Sequence, residues 1–281
     1  MTDYATGSVT SADGTTIGYR RFGAGPPVIV VHGGMQASQH FTGLAAALAD
    51  TYTVYVPDRR GRGMSGPHGD DFGVAREVED IQALVAATGA AGAFGLSSGG
   101  LVVLRTALAT PALTRIAVYE PPLSVDGSVP VAWVPRYDRE LAAGDVTGAL
   151  VTALKGIGVA PVLGRVPRRL LAPVLRLGLG RGGQAEDEVP IPELVPTLRY
   201  DLRVVGEMAD TAGDYAGLQA RVLLLGGTRG PDYLQVALVA LAEVLPDARR
   251  VTLKGLDHSG PDNDGDPVRV GDVLRGFFLR E

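Results

Sequence analysis

Gly95-Leu96-Ser97-Ser98-Gly99-Gly100 is the stretch whose reading decides the fold. Ala91 to Phe94 before it has the character of a short strand, and Gly99 to Ala109 reads as an apolar helix. A serine between strand and helix, with glycine two residues before and two after, fits the pattern G-x-S-x-G. The chain must turn so sharply there that both flanking positions have to be small. Gly95 and Gly99 meet that need around Ser97, whereas centring the turn on Ser98 would put Leu96 in a crowded position. Ser97 is therefore the expected nucleophile.

Outward from this point, strands and helices alternate. Ser8-Val9-Thr10, the turn pair Asp13-Gly14 and Thr15 to Arg21 predict a hairpin. Pro27-Val28-Ile29-Val30-Val31 is a continuous apolar run of the kind buried on both faces of a parallel sheet. Helices are predicted over Phe41 to Ala49 and over Ala75 to Thr88, with strands at Thr53 to Val56 and Arg115 to Tyr119. From Leu123 to about Ala216 the composition shifts to Pro, Gly, Leu and Arg, and the alternation stops. It resumes with Arg221 to Leu225 as strand, Tyr233 to Leu245 as helix, Arg249 to Leu253 as strand and Val268 to Phe278 as helix. The expected architecture is α/β: a mostly parallel central sheet with helices on both faces. Residues 1–122 and 217–281 form the core domain, and 123–216 an inserted helical cap, because a structureless connection of that length would be unusual in a compact domain.

Composition narrows the chemistry. With 46% hydrophobic and 20% charged residues the chain reads as globular rather than disordered. A net charge of -5 gives no electrostatic case for nucleic acid. The absence of cysteine excludes disulfides, thiolate catalysis and cysteine-based metal sites. The start, Met1-Thr2-Asp3-Tyr4, shows no signal-peptide pattern, and no apolar run is long enough to span a bilayer. A cytoplasmic protein, monomeric or homodimeric and without membrane contact, is the expectation.

Three more motifs accompany the glycine-flanked serine, in a fixed order. His32-Gly33-Gly34-Met35 follows the third predicted strand, Asp58-Arg59-Arg60-Gly61-Arg62-Gly63-Met64-Ser65 follows the fourth, and Asp257-His258-Ser259 follows the last. On these four motifs the chain resembles the α/β-hydrolase superfamily over nearly its whole length, as an esterase-like serine hydrolase with a helical cap. The resemblance implies an HG-x oxyanion loop at His32 to Met35, a D-x-R-G-x-G-x-S turn at Asp58 to Ser65, and the catalytic histidine at His258.

The residues support the same chemistry. A serine hydroxyl needs a base to take its proton as it attacks, and histidine titrates in the right range. Of the four histidines, His32 lies in the HG turn, where the resemblance implies a structural role. His40 and His68 fall in predicted surface segments, which leaves His258. The Ser98 backbone N–H, at a helix start, is one candidate donor to an oxyanion. The second is Gly34 or its neighbour Met35. The triad acid has two candidates. The G-x-x-D turn of many family members reads Gly227-Thr228-Arg229-Gly230 here, with glycine at the acid position. Asp232 stands two residues later at a helix start. Glu120 ends the strand Arg115 to Tyr119, where some branches, haloalkane dehalogenases among them, place the acid; it is the preferred candidate.

Met35, Leu123, Trp133 and Tyr137 are candidate apolar contacts for a small hydrophobic acyl substrate. No cofactor and no metal are expected. Asp262, Asp264 and Asp266 fail as a calcium loop, because Pro267 and Val273 stand where glycine and glutamate are needed; they suit the cap of the last helix. Arg59, Arg60 and Arg62 read as a solvated loop with ion pairs, and Arg165, Arg168, Arg169, Arg176 and Arg181 as the polar face of a cap helix. The expected activity is cleavage of an ester, lactone or thioester through an acyl-enzyme. Acyl transfer, C–C hydrolysis and perhydrolase activity share the same machinery. A ligand-binding protein of the same fold with little turnover is the alternative of a different class, favoured by the glycine at the usual acid position.

Overall fold

The computed structural model describes residues 3–159, 166–179 and 188–279. The predicted hairpin is β1 (Ala5–Thr10) paired antiparallel with β2 (Thr16–Phe22), in the register Ala5 to Arg21 and Thr10 to Thr16. β3 (Pro27–Val31) and β4 (Thr53–Pro57) follow, with α1 (Thr42–Ala49) between them. Next come α2 (Val74–Thr88), β5 (Gly92–Leu96), α3 (Ser98–Ala109) and β6 (Arg115–Tyr119). After the insertion the order is β7 (Arg221–Gly227), α9 (Asp232–Val244), β8 (Ala248–Leu253) and α10 (Pro267–Phe278). The eight strands form one sheet in the order β1-β2-β4-β3-β5-β6-β7-β8, parallel from β4 to β8.

The continuous apolar strands are explained by two cores, one on each face of the sheet. Ile29 and Val31 face one core with Ile81 of α2 and Leu101 of α3, while Val28 and Val30 face the other with Leu44 of α1 and Leu274 of α10. Side chains alternate between the faces of a strand, so a strand covered on both sides must be apolar at every position. The same division holds in β6, with Ile116 and Val118 on the first face and Ala117 and Tyr119 on the second.

Between β6 and β7 the described residues contain helices and no strand: α4 (Val134–Ala142), α5 (Val146–Ile157), α6 (Arg168–Leu179), the single turn α7 (Ile191–Leu194) and α8 (Leu198–Glu207). They carry a small core of their own, built on Tyr137, Ala149, Leu150, Ala153, Val195 and Leu198. Arg168 is bound to Glu140 at 2.6 Å, Arg176 is exposed, and Arg165 and Arg181 lie outside the described residues. Asp266 caps α10 by accepting from the Arg269 N–H at 3.2 Å, as the sequence suggests. No described helix is long and apolar enough to cross a membrane.

Two features of the structure depart from the sequence expectation. Arg59, Arg60 and Arg62 are not solvated: they are only 3%, 1% and 3% exposed. Arg60 forms a two-pronged bond to Asp80 of α2, at 2.7 and 2.6 Å, which ties the loop after β4 to the helix that follows. His40 and His68 are half-buried rather than on the surface. His68 stacks on Tyr200 of α8, ring centroids 3.4 Å apart, and so links the β4–α2 connection to the insertion.

Burial, reinforced by Arg62 and Arg59, pushes the His68 imidazole down to about 4, from 6.5. Between those values the unfolded chain binds a proton that the folded chain does not, so stability falls as pH drops through that window. The ceiling on the loss is about 3 kcal/mol, reduced by the ring's partial exposure. Replacing His68 by Phe keeps the stack and removes the titration. Denaturant midpoints at pH 7 and pH 4.5 should converge in His68→Phe relative to the wild type; an equal acid loss in both proteins would contradict the assignment.

Candidate active site

The site lies beyond the carboxyl ends of the parallel strands, where β3 sends the chain one way to β4 and β5 lies on its other side. A sheet of this type opens a crevice at such a reversal. Ser97 occupies the bend between β5 and α3 with φ 54° and ψ -127°, the left-handed side of backbone space that a non-glycine residue adopts only under constraint. The constraint is packing. A Cβ on Gly95 would lie 2.4 Å from the Gly99 carbonyl oxygen, and one on Gly99 would lie 2.3 Å from that of His32. The Ser97 N–H donates to the Tyr119 carbonyl at 2.9 Å, which fixes the bend to β6. These contacts lift the Ser97 side chain out of the sheet and start α3 at Ser98.

The loop after β3 is held by His32. Its Nε2 accepts from the Arg59 N–H at 3.0 Å, so the ring proton sits on Nδ1, which donates to the Gly33 carbonyl at 2.9 Å. Burial first, then Arg62 and Arg59, hold this imidazole well below its ordinary pKa, and the ring stays neutral. Gly34, Met35, Ser97, Ser98 and His258 all line one cavity of about 110 Å³.

His258 is supplied by the loop after β8. The Tyr119 hydroxyl donates to the Asp257 carbonyl at 2.7 Å and anchors that loop to the end of β6. The His258 Nδ1 lies 2.8 Å from Glu120 Oε2. Glu120 follows β6 directly, is fully buried, and has φ 46°. Its N–H donates to the Leu225 carbonyl at 2.9 Å, and its Oε1 accepts from the Gly227 N–H at 2.8 Å. Both carboxylate oxygens are thus engaged, which a buried acid requires. The acceptor on Nδ1 places the ring proton there and leaves Nε2 free to accept. Asp232, the other candidate acid, is exposed in the first turn of α9. The glycine at the usual acid position has a physical reason: a Cβ on Gly230 would come 2.4 Å from Glu120 Oε1. The Glu120 carboxylate fills the space that a side chain from Gly230 would need.

The walls are mostly apolar. Met35 and Trp133 line the cavity, with Ile157, Leu202, Val205 and Tyr233. Leu123 and Tyr137, expected there too, are not on it. Leu123 is fully buried in the main core, and Tyr137 in the core of the insertion, where its hydroxyl donates to the Val195 carbonyl at 2.6 Å.

One carboxylate on the cavity wall was not anticipated. Asp201 of α8 is buried, and its Oδ1 accepts from Arg59 Nη1 at 2.7 Å and from the Ser98 hydroxyl at 2.8 Å. Its Oδ2 accepts from Arg62 Nη2 at 2.5 Å. Burial raises the carboxyl pKa, but Arg62 and Arg59 outweigh it and Asp201 stays below its ordinary value. Burial likewise opposes the Arg59 charge, which Glu77 and Asp201 restore; Glu77 binds it with both oxygens at 2.6 Å. Sequence carried a signal for these acids. Asp201 shares the buried face of α8 with Leu198, Val204 and Val205, and Glu77 and Asp80 share that of α2 with Ile81 and Leu84. A carboxylate on an apolar stripe implies a buried cation opposite it. Among the described residues no cluster of His, Asp and Glu could hold a metal ion.

Comparison with known proteins agrees with this architecture. The model of the alpha/beta hydrolase family matches residues 28–271. An alpha/beta hydrolase from Sphaerobacter thermophilus superposes with a TM-score of 0.77 at 32% identity, over 97% of this chain and all of that one. A pimeloyl-[acyl-carrier protein] methyl ester esterase from Stenotrophomonas maltophilia is 28% identical over 84% of this chain and 87% of its own length. A cis-3-alkyl-4-alkyloxetan-2-one decarboxylase from Shewanella oneidensis is 35% identical, but over only 27% of this chain and 24% of that enzyme. With its sheet order, its bend at Ser97 and a family match across most of its length, the chain belongs to the alpha/beta hydrolase family.

Proposed function

We propose that the protein is a serine hydrolase that cleaves a small apolar carboxylic ester, or a related lactone or thioester, through an acyl-enzyme. The observation that carries this reading is the 2.8 Å contact between His258 Nδ1 and Glu120 Oε2, at a cavity that Ser97 also lines. Ser97 Oγ attacks the carbonyl carbon while His258 Nε2 takes its proton. The carbonyl oxygen becomes an oxyanion, held by the N–H groups of Ser98 and Gly34. Collapse breaks the bond to the leaving alcohol, which departs with the proton from His258. Water then enters, gives a proton to His258, and releases the acid as Ser97 regains its hydrogen. Glu120 keeps the imidazole in the correct tautomer and stabilises it when charged.

The substrate class follows from the walls. Among the described residues, Asp201 is the only acidic side chain on the cavity, and two arginines neutralise it. Among the described residues no lysine or arginine lines the cavity to hold a substrate carboxylate, and the remaining surface suits an uncharged apolar group. The described helices between β6 and β7 act as the lid, contributing Trp133, Ile157 and Leu202 to the wall. The Stenotrophomonas relative is named for ester cleavage, in keeping with this reading. The glycine at Gly230 favours the alternative of a binding protein with little turnover; the His258–Glu120 contact supports the hydrolase reading instead.

Turnover of p-nitrophenyl acetate and butyrate tests the assignment. Ser97→Ala should lower kcat/KM by at least about 10⁴-fold. Glu120→Gln should lower it by about 10³- to 10⁴-fold, because one amide oxygen cannot serve both Gly227 and His258, and an NH₂ facing Nδ1 selects the wrong tautomer. Asp232→Asn should change it by less than about 2-fold. Loss in Asp232→Asn with retention in Glu120→Gln would overturn the choice of acid. Gly230→Ala should also impair turnover by displacing the Glu120 carboxylate; wild-type rates in a folded Gly230→Ala protein would contradict the close approach.

A further inference from the structure

Two residues outside the proposed triad connect the loop that carries His258 to the loop after β3. Gln36 Oε1 accepts from the Gly33 N–H at 3.0 Å, and Gln36 Nε2 donates to Asp262 Oδ2 at 2.8 Å. The other oxygen of Asp262 accepts from the Asp264 N–H at 3.0 Å. Asp262 is only 6% exposed and has no lysine or arginine partner among the described residues. Nothing in the proposed reaction uses this buried carboxylate.

An amide has one accepting and one donating end, and its neighbours decide which way it points. An ionised carboxylate accepts only. It draws Gln36 Nε2 towards itself and leaves Oε1 for Gly33. Gly33 is then held on both sides, its N–H by Gln36 and its carbonyl by His32 Nδ1 at 2.9 Å. The peptide unit between Gly33 and Gly34 carries that carbonyl and, on its opposite edge, the N–H of Gly34. Gly33 also packs close to Ser97: a Cβ built on it would lie 3.1 Å from Ser97 Cβ.

We propose that Gln36 and Asp262 are positioning residues for the oxyanion loop, the ionised carboxylate fixing the amide so that Gly33 is held and the Gly34 N–H is aimed into the cavity. This rests on the reading of Gly34 as an oxyanion donor. If Asp262 is protonated, or replaced by Asn, it has one accepting atom, which the Asp264 N–H already uses. Its other atom becomes a donor and turns Gln36 Oε1 towards itself. Gln36 Nε2 then faces the Gly33 N–H, donor against donor, and the loop must move.

The protonation falls in a useful range. Burial pushes the Asp262 carboxyl up to about 7; the Asp264 N–H opposes this, the Asp264 charge adds to it, and His258 and Gln36 oppose it. Among the described residues the titratable groups near it are Asp264 and His258 in its own loop, Tyr119 at the end of β6, and His40 in the turn packed beside Asn263. The oxyanion loop is therefore set correctly above neutrality and released below it.

Two measurements test this, using Asp262→Asn and Gln36→Met in the full chain. The first is kcat and KM for p-nitrophenyl butyrate from pH 5.5 to 9. Removal of one oxyanion donor costs about 10²- to 10³-fold in kcat; misplacing it should cost on the order of 10-fold or more in both variants at pH 8, with KM within about 2-fold. The acid limb of the wild-type profile should be steeper than one proton, and that of Asp262→Asn should be a single-proton limb. The second is the Gly33 amide resonance in isotope-labelled protein, which needs no turnover. It should titrate near neutrality in the wild type and in Ser97→Ala, and be flat in Asp262→Asn. A Gly33 amide that ignores pH in the wild type, or unchanged kcat in both variants, overturns the proposal. Ester turnover that Ser97→Ala abolishes but Asp262→Asn leaves intact would refute the relay and keep the hydrolase. A titrating Gly33 amide in a protein without ester turnover would keep the relay and refute the hydrolase reading.

Discussion

The left-handed backbone at Ser97 is the constraint on which the rest of the site depends. Such a conformation costs on the order of 1–3 kcal/mol and persists only where the surroundings over-determine it. Here they do: two glycines allow backbone to meet backbone, and the Ser97 N–H is tied to the Tyr119 carbonyl. From that one bend follow the exposure of the hydroxyl, the position of the Ser98 N–H at the start of α3, and the contact with the His32 loop. A second left-handed residue, Glu120, ends the neighbouring strand and turns its carboxylate towards the loop after β8. Two adjacent strand ends thus each carry strain where the chemistry is proposed.

Around these bends the buried carboxylates of Glu120 and Asp201 have partners for both oxygens. Glu120 has a backbone donor and an imidazole for its two oxygens. Asp201 is shared between Arg59 and Arg62 and also receives the Ser98 hydroxyl, so a side chain of the insertion is bonded directly to the residue that follows the bend. Removing one partner of such a buried set leaves an uncompensated charge, which typically costs about 3–5 kcal/mol. The insertion is therefore joined to the sheet by electrostatics as well as by apolar contact, and its helix α8 helps to hold the proposed oxyanion region in place.

Much of this was legible in the sequence. The alternation of short apolar runs with helical spacing predicts the sheet, because strands covered on both faces must be apolar throughout. Gly95 and Gly99 identify the bend, because only small residues fit there. Glu120 is preferred over Asp232 in the sequence because it ends a strand, where a buried carboxylate needs a partner such as an imidazole; the glycine at the usual acid position only opens the question, and the structure supplies the steric reason for that glycine. What sequence did not disclose depends on contacts between distant segments. The burial of Arg59, Arg60 and Arg62 follows from acids on α2 and α8, and the latter lies more than a hundred residues away. Leu123 and Tyr137 have the chemistry of pocket residues, but they are consumed by packing within their own layers. Gln36 and Asp262 become meaningful only when two loops separated by most of the chain meet.

The central claim is that the hydroxyl at the bend is an activated nucleophile. The most direct measurement is peptide mapping by mass spectrometry after exposure to a fluorophosphonate, which is captured covalently only by a serine whose proton is removed as it attacks. A single adduct on the peptide containing Ser97, absent from Ser97→Ala, is the predicted result. Folded protein that stays unmodified, or that carries its adduct on another residue, would contradict it.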